Sequence, residues 1–264
     1  MLSDKRLHEN SVVRRAKQGL RFGRLSANLL AGSAFIQGCF TFPKLSNIHN
    51  SHLNDYAVFN FWVQDLVRSM NVDLSIRGEI MDGEGVFVSN HISWLDTIIL
   101  NEAKQLSFIA RHDLAGWPFL GAFTQRMHSV FIDRSNKFKA YRSIPLIEER
   151  LNEGRSVLVF PEATTSDGKS LRHFYPMFYE AAVRTGTRVQ PITIQYKDGL
   201  GNTLTDAAFI DDDSFMDTLS RILYADKVFA TLTFLPPLDA RKLGRKEVCA
   251  ASKQAIASSL GLFV

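Results

Sequence analysis

Short apolar runs alternate with longer amphipathic stretches through most of this chain, and the alternation begins near residue 72. The runs 73–79, 85–89 (GVFVS), 106–110 (LSFIA), 129–132, 156–160 (SVLVF), 188–195 (RVQPITIQ) and 229–235 (FATLTFL) are brief and rich in β-branched and aromatic residues, which predicts strands. Between most of them, 94–104, 137–153, 172–184, 213–224 and 241–259 place apolar residues at helical spacing. This order predicts an α/β domain over 72–264: a mixed, largely parallel central sheet of about seven strands, flanked by helices. In open sheets of this kind ligands collect beyond the carboxyl ends of the strands. The residues just past each apolar run are therefore the first candidates for chemistry.

Residues 1–71 have a different texture. The first 24 are polar and basic, with Arg14, Arg15, Lys17, Arg21 and Arg24 crowded together, and 26–43 (SANLLAGSAFIQGCFTFP) carries no charge. That run falls short of the roughly 20 strongly apolar residues a span requires. A basic flank before an apolar run suits the negatively charged cytoplasmic face of a membrane. A signal peptide, with IQGC at 36–39 as a poor lipoprotein-like cleavage site, and a buried hairpin helix are the competing readings. Over 55–70, Val58, Phe59, Trp62, Leu66 and Met70 fall on one helical stripe, so a second amphipathic helix follows, either lying at the membrane interface or packed on the core of the domain. The segment 1–71 is expected to be a membrane-docking helical pair on the cytoplasmic leaflet, peripheral or with one N-terminal span.

Composition narrows this picture without redirecting it. Apolar residues at 45% and charged residues at 22% of 264 fit a globular chain and exclude disorder or many spans. A net charge of +4 is too mild to indicate nucleic acid as a partner. Cys39 and Cys249 are the only cysteines, which excludes a disulfide scaffold and a four-cysteine zinc site. His8, His49, His52, His112, His128 and His173 show no ligand spacing, so no metal is expected.

Two strand exits carry candidate chemistry. After GVFVS comes Asn90-His91-Ile92-Ser93-Trp94-Leu95-Asp96. On one regular helix, residues five apart point about 140° from each other. His91 and Asp96 can therefore meet only if His91 lies in the turn before a helix and Asp96 in its first turn. Ser93 then stands at the N-cap, with Asp96 in capping-box position, so a purely capping role for Asp96 is the plain alternative. The second exit is Phe160-Pro161-Glu162-Ala163-Thr164-Thr165-Ser166-Asp167-Gly168, a carboxylate, several hydroxyls and a glycine turn after the most apolar strand. A third run, Phe131-Ile132-Asp133-Arg134, ends in an arginine able to hold an anionic group.

In this order and spacing the blocks resemble the glycerolipid acyltransferase family, which includes the 1-acylglycerol-3-phosphate acyltransferases. The resemblance covers about residues 75–240. His91 to Asp96 matches the family's His-x4-Asp block, Phe131 to Arg134 its second, Phe160 to Thr164 its Phe-Pro-Glu-Gly-Thr block, and Val189 to Ile192 its proline-containing strand. Phe108-Ile109-Ala110-Arg111 with Trp117-Pro118-Phe119-Leu120-Gly121 is similar to its stretch of a basic residue followed by Pro-Phe-Phe-Gly. Ala163 replaces the usual glycine, so the turn is expected to avoid positive φ. Thr165 stands where many members have the arginine assigned to the acceptor's phosphate; Arg134, Arg111, Lys169 or Arg172 would have to compensate.

The resemblance implies transfer of a fatty acyl group from acyl-CoA or acyl carrier protein to a lysophospholipid hydroxyl, with 1-acyl-sn-glycerol-3-phosphate giving phosphatidate. Another lyso-lipid, such as lyso-ornithine lipid, is the alternative acceptor. His91 would be the base and Asp96 its orienting partner. Glu162, Thr164, Arg134 and Arg111 would bind the acceptor, and the turns at Ser93 and Ala163 would supply oxyanion donors. No metal or organic cofactor is implied. Two other classes remain from the residues themselves. Ala163 to Ser170 formally fits a phosphate-binding loop of an NTPase, which would require Lys169 and Ser170 to open a helix. A non-catalytic lipid-binding protein would need none of these side chains.

Overall fold

The computed structural model describes residues 11–41, 52–111, 129–132, 141, 143–210 and 212–262. Two helices lead, α1 (Ser11–Thr41) and α2 (His52–Ser69), followed by β1 (Val72–Arg77), β2 (Val86–Ser89), α3 (Leu95–Ala103), β3 (Ser107–Arg111), β4 (Val130–Ile132), α4 (Ser143–Asn152) and β5 (Val157–Val159). Then come a 3-10 turn (Pro176–Tyr179), α5 (Glu180–Thr185), β6 (Arg188–Lys197), a second 3-10 turn (Thr205–Ala207), α6 (Phe215–Tyr224), β7 (Val228–Phe234), β8 (Leu238–Asp239) and α7 (Arg245–Leu260). The sheet runs β1-β7-β6-β2-β5-β3-β4, with β8 added to β6. Among the described strands, the β6–β7 and β6–β8 pairings are antiparallel and the others parallel.

The central strands are apolar throughout because both of their faces are covered. Strict alternation divides them: Val86, Val88, Val157 and Val159 face one core with α4, α5 and α7, while Phe87 and Leu158 face the other, beneath α2, α3 and α6. Phe160, Ile192, Ile194 and Tyr196 belong to this second layer. Since β2, β5 and the first half of β6 run parallel, their carboxyl ends open on the same edge of the sheet.

All seven expected strands are present, and the two-residue β8 is an addition; its proline-flanked pair carries no periodic signal. The helix expected over 172–184 is shorter. Residues 172–175 are extended because the amides of Arg172 and Tyr175 are taken by Glu162 and by the Pro161 carbonyl, and Pro176 then opens a 3-10 turn.

The division expected at residue 71 does not separate two cores. Val63, Leu66 and Val67 of α2, Met70 just past its end and Leu25 of α1 are buried among α3, α6 and the sheet. Trp62 donates to the Asn28 carbonyl at 3.2 Å, and Gly32 lets α1 lie flat on that indole, where a Cβ would come within 2.2 Å of it. The basic residues expected to face a membrane are partly committed inside the protein. Arg24 and Asn28 hydrogen-bond Asp65 at 2.8 and 2.6 Å and hold its carboxyl below the usual carboxylate range. Arg21 donates to the Leu223, Ala225 and Asp226 carbonyls at the end of α6, where a helix leaves its acceptors unpaired and favours a cation. Arg14 pairs with Asp226. No described helix is long and apolar enough to cross a membrane. The Cys39 side chain and the stretch 42–51 lie outside the described residues.

A chain starting at residue 71 is therefore expected to lack a cooperative thermal transition by circular dichroism. Leu66→Ala in the full chain is expected to lower stability by about 2–5 kcal/mol in urea unfolding, as a buried leucine truncation does. A cooperatively melting 71–264 fragment would show that the two helices are dispensable for folding.

Candidate active site

The exit of β2 is fixed by its own side chains. Beyond Ser89 the Asn90 amide imitates another strand residue, donating to the Ile194 carbonyl at 3.0 Å and accepting from the Ile194 amide at 2.8 Å. The backbone then turns, and the His91 carbonyl accepts from the Ser166 amide at 2.8 Å. Helix α3 starts at Leu95, which makes Asp96 its second residue, and the first-turn geometry brings Asp96 back over the turn. Asp96 Oδ2 accepts from His91 Nδ1 at 2.8 Å, from the Ile92 amide at 2.7 Å and from the Ser93 amide at 3.0 Å. Its Oδ1 accepts from the Tyr196 hydroxyl at 2.7 Å. The carboxylate is fully buried, and its charge sits at a helix N-terminus where the backbone dipoles favour it.

Asp96 thus caps the turn and holds the imidazole at once. The expected Ser93 cap forms by half: Trp94 occupies the N-cap position, and the buried Ser93 hydroxyl has no partner among the described residues. With Nδ1–H donated to a carboxylate, the lone pair of His91 lies on Nε2, which has no hydrogen bond to any described residue; 17% of the side chain is exposed. The Phe160 ring stacks on the imidazole with centroids 3.8 Å apart and planes 11° apart, fixing the ring's plane as Asp96 fixes its rotation.

Glu162 closes the other strand exit from inside. It is 2% exposed, and its two oxygens accept from the His91 amide at 2.9 Å and the Arg172 amide at 2.8 Å. Burial pushes its carboxyl up, against the pull of those two amides. With one backbone amide on each oxygen, Glu162 clamps three loops together from inside the protein, a role beyond the expected contact with an acceptor hydroxyl.

The remaining candidates separate. Ala163 has φ +60°, contrary to the expectation that this turn avoids the left-handed region; the turn keeps its shape by placing a Cβ where glycine is usual, at about 1–2 kcal/mol. Its amide donates to the Phe160 carbonyl at 3.1 Å, so it is committed within the turn, as the Ser93 amide is to Asp96. Thr164 is exposed beside them, with no hydrogen bond to described residues. Thr165 donates to the Phe209 carbonyl, while the Phe209 amide donates to the Ile92 carbonyl at 2.9 Å, so 209 ties the two exits together. Lys169 and Arg172 have exposed side chains. No helix opens at Lys169 and Ser170, which removes the phosphate-loop reading. The Arg111 side chain, Arg134 and 117–121 lie outside the described residues. Among the described residues, no three His, Cys, Asp or Glu side chains are grouped to hold a metal ion.

Sequence reasoning missed Asn90, Tyr196 and the stacking of Phe160. Phe160 was within reach, since it shares the parity of Leu158 and so faces the α3 side. Tyr196, a hundred residues from Asp96, gave no local signal.

Glu162→Gln sets an amide donor against one of two backbone donors. It is expected to lower stability by about 1–3 kcal/mol in urea unfolding and to depress turnover. Because the folded pKa of Glu162 is raised, the native state holds more protons between the ordinary and the raised value. Wild-type stability should therefore fall as pH rises through that window, a slope absent in the variant. Ala163→Gly should raise the midpoint, with a gain near 1 kcal/mol from relieved strain.

Comparison with known proteins identifies the family and the fold. The family model described as Acyltransferase matches residues 57–195. A lyso-ornithine lipid O-acyltransferase of Pseudomonas aeruginosa is 30% identical over 201 residues, 76% of this chain and 77% of that protein. A 1-acyl-sn-glycerol-3-phosphate acyltransferase of Neisseria gonorrhoeae is 31% identical over 157 residues, 59% of this chain and 61% of that protein. In fold, the chain is similar to the crystal structure of the 1-acyl-sn-glycerophosphate acyltransferase PlsC from Thermotoga maritima, with a TM-score of 0.70, 16% identity, and 95% and 96% of the two chains covered. A buried carboxylate holding one histidine at a strand exit, the ordered blocks around it and a family match over half of the chain lead to one conclusion: the chain belongs to the acyltransferase family and is an acyl-transferring enzyme.

Proposed function

We propose that this enzyme moves a fatty acyl group from a thioester, acyl-CoA or acyl carrier protein, to the free hydroxyl of a lysophospholipid, with 1-acyl-sn-glycerol-3-phosphate as acceptor and phosphatidate as product. The observation that carries the reading is the His91–Asp96 pair, with the imidazole's open nitrogen between two strand exits. An alcohol is too weak an acid to attack a thioester unaided, so its proton needs a base within hydrogen-bond reach. Nε2 of His91 takes the hydroxyl proton while the oxygen attacks the thioester carbonyl carbon. Asp96 stabilises the imidazolium that forms. The tetrahedral intermediate collapses, the carbon–sulfur bond breaks, and the imidazolium returns its proton to the thiolate. Thr164, exposed in the turn after β5, is the candidate donor to the oxyanion or acceptor. No metal or organic cofactor enters these steps.

Both the acceptor and the acyl chains prefer a bilayer, at about 0.8 kcal/mol per buried methylene, so the reaction belongs at the cytoplasmic face of the cytoplasmic membrane. Leu20 and Leu30 of α1 and Phe61 of α2, at 76%, 72% and 68% exposure, offer it apolar contact.

Lyso-ornithine lipid is the second reading for the acceptor, and Thr165 favours it. The hydroxyl there is spent on the Phe209 carbonyl, so the position supplies no cation for a phosphate, and relatives named for lyso-ornithine lipid align over about three quarters of the chain.

The test offers purified enzyme palmitoyl-CoA with 1-acyl-sn-glycerol-3-phosphate, lyso-ornithine lipid or lysophosphatidylethanolamine in vesicles, following thiol release and lipid product. Product is expected with at least one acceptor, and His91→Ala is expected to be inactive. Thiol release no faster than that variant with every acceptor would defeat the proposal. Aspartate at Leu20, Leu30 and Phe61 together should reduce sedimentation with anionic vesicles while leaving the melting temperature within a few degrees.

A further inference from the structure

We infer that Tyr196 is a positioning residue for acyl transfer, its phenol acting through Asp96 on the His91 base. The inference rests on His91 being the base, and it adds a residue outside the blocks of the family pattern. Tyr196 lies on β6, on the face shared with Ile192 and Ile194, and is buried, so it cannot reach a substrate. Its hydroxyl donates to Asp96 Oδ1 at 2.7 Å, and among the described residues that oxygen has no other donor, whereas Oδ2 has three. Burial, and then the adjoining Asp96 charge, push the phenol well above its ordinary range, so it remains a donor at any working pH.

Two consequences follow. Three donors anchor Oδ2, and the bond at Oδ1 fixes the plane of the carboxylate about that oxygen, and with it the lone pair offered to the imidazole. A hydrogen bond to a charged group in a dry site is also among the strongest a protein makes. In the unprotonated pair the Asp96 charge is unshared, so the phenol stabilises that state more than the protonated pair. Its loss should therefore move the acid limb of the rate profile to higher pH. Glu162, from the turn after β5, is the other ionisable side chain acting on the pair among the described residues, and Tyr196→Phe leaves it in place.

The test compares wild type, Tyr196→Phe, Asp96→Asn and the double variant, with kcat normalised to the folded fraction from near-ultraviolet circular dichroism. Tyr196→Phe is expected to lower kcat about tenfold, to leave KM for donor and acceptor within about twofold, and to shift the acid limb upward by about one pH unit. In the Asp96→Asn background it should cost nothing further. An unchanged kcat and acid limb, or the same loss with and without Asp96, would overturn the inference. Activity in His91→Ala would instead defeat the reading of the base, and that result comes from a separate variant.

Discussion

A carboxylate with no exposure to water has to find every hydrogen bond inside the protein, and in this molecule that requirement organises the site around Asp96. Taking such a charge out of water costs several kcal/mol unless the protein replaces its hydration. The replacement is four donors from two parts of the chain: the His91 ring with the Ile92 and Ser93 amides, all in the turn before α3, and the Tyr196 phenol from β6. Satisfying the charge therefore also fixes the orientation of the imidazole. Capping and catalysis were competing accounts of Asp96; in three dimensions one set of bonds serves both.

The same economy extends to neighbouring loops. Glu162 holds the His91 and Arg172 amides, Asn90 carries the β2 pairing one residue past its end, and Phe209 spans the two exits from outside. Each is a side chain or backbone group standing in for a partner that a loop amide or carbonyl would otherwise lack. The result is a base whose ring plane, rotation and height above the sheet are each set by a different residue, which is the preorganisation that proton transfer to a positioned alcohol needs.

The leading helices carry two demands. Their inner faces complete the core beneath α3 and α6, and their guanidinium groups close the carboxyl end of α6 or pair with Asp65 and Asp226. Their outer faces keep Leu20, Leu30 and Phe61 exposed. A lipid surface meeting α1 and α2 would thus meet the same body that holds the active site, with no flexible joint between α2 and β1.

What the sequence determined by itself was everything local. Short apolar runs set between stretches of helical period marked seven strands and most helices, because a strand buried on both faces is largely apolar and a helix is apolar on one. The His-x4-Asp spacing limited the pair to one arrangement, a turn followed by a first helical turn, and the ordered blocks carried the family. Tertiary structure decided what depends on contacts between distant segments. Tyr196 reaches Asp96 only because β6 runs alongside β2, and Arg21 caps α6 only because α1 crosses it. Glu162 became a clamp because amides from two other segments reach its two oxygens, and Ala163 takes a left-handed backbone in the turn whose amide bonds the Phe160 carbonyl. Spacing along a chain constrains neighbours within a turn or two; which distant donor fills the last lone pair of a buried charge is set by strand order, and strand order is a property of the assembled sheet.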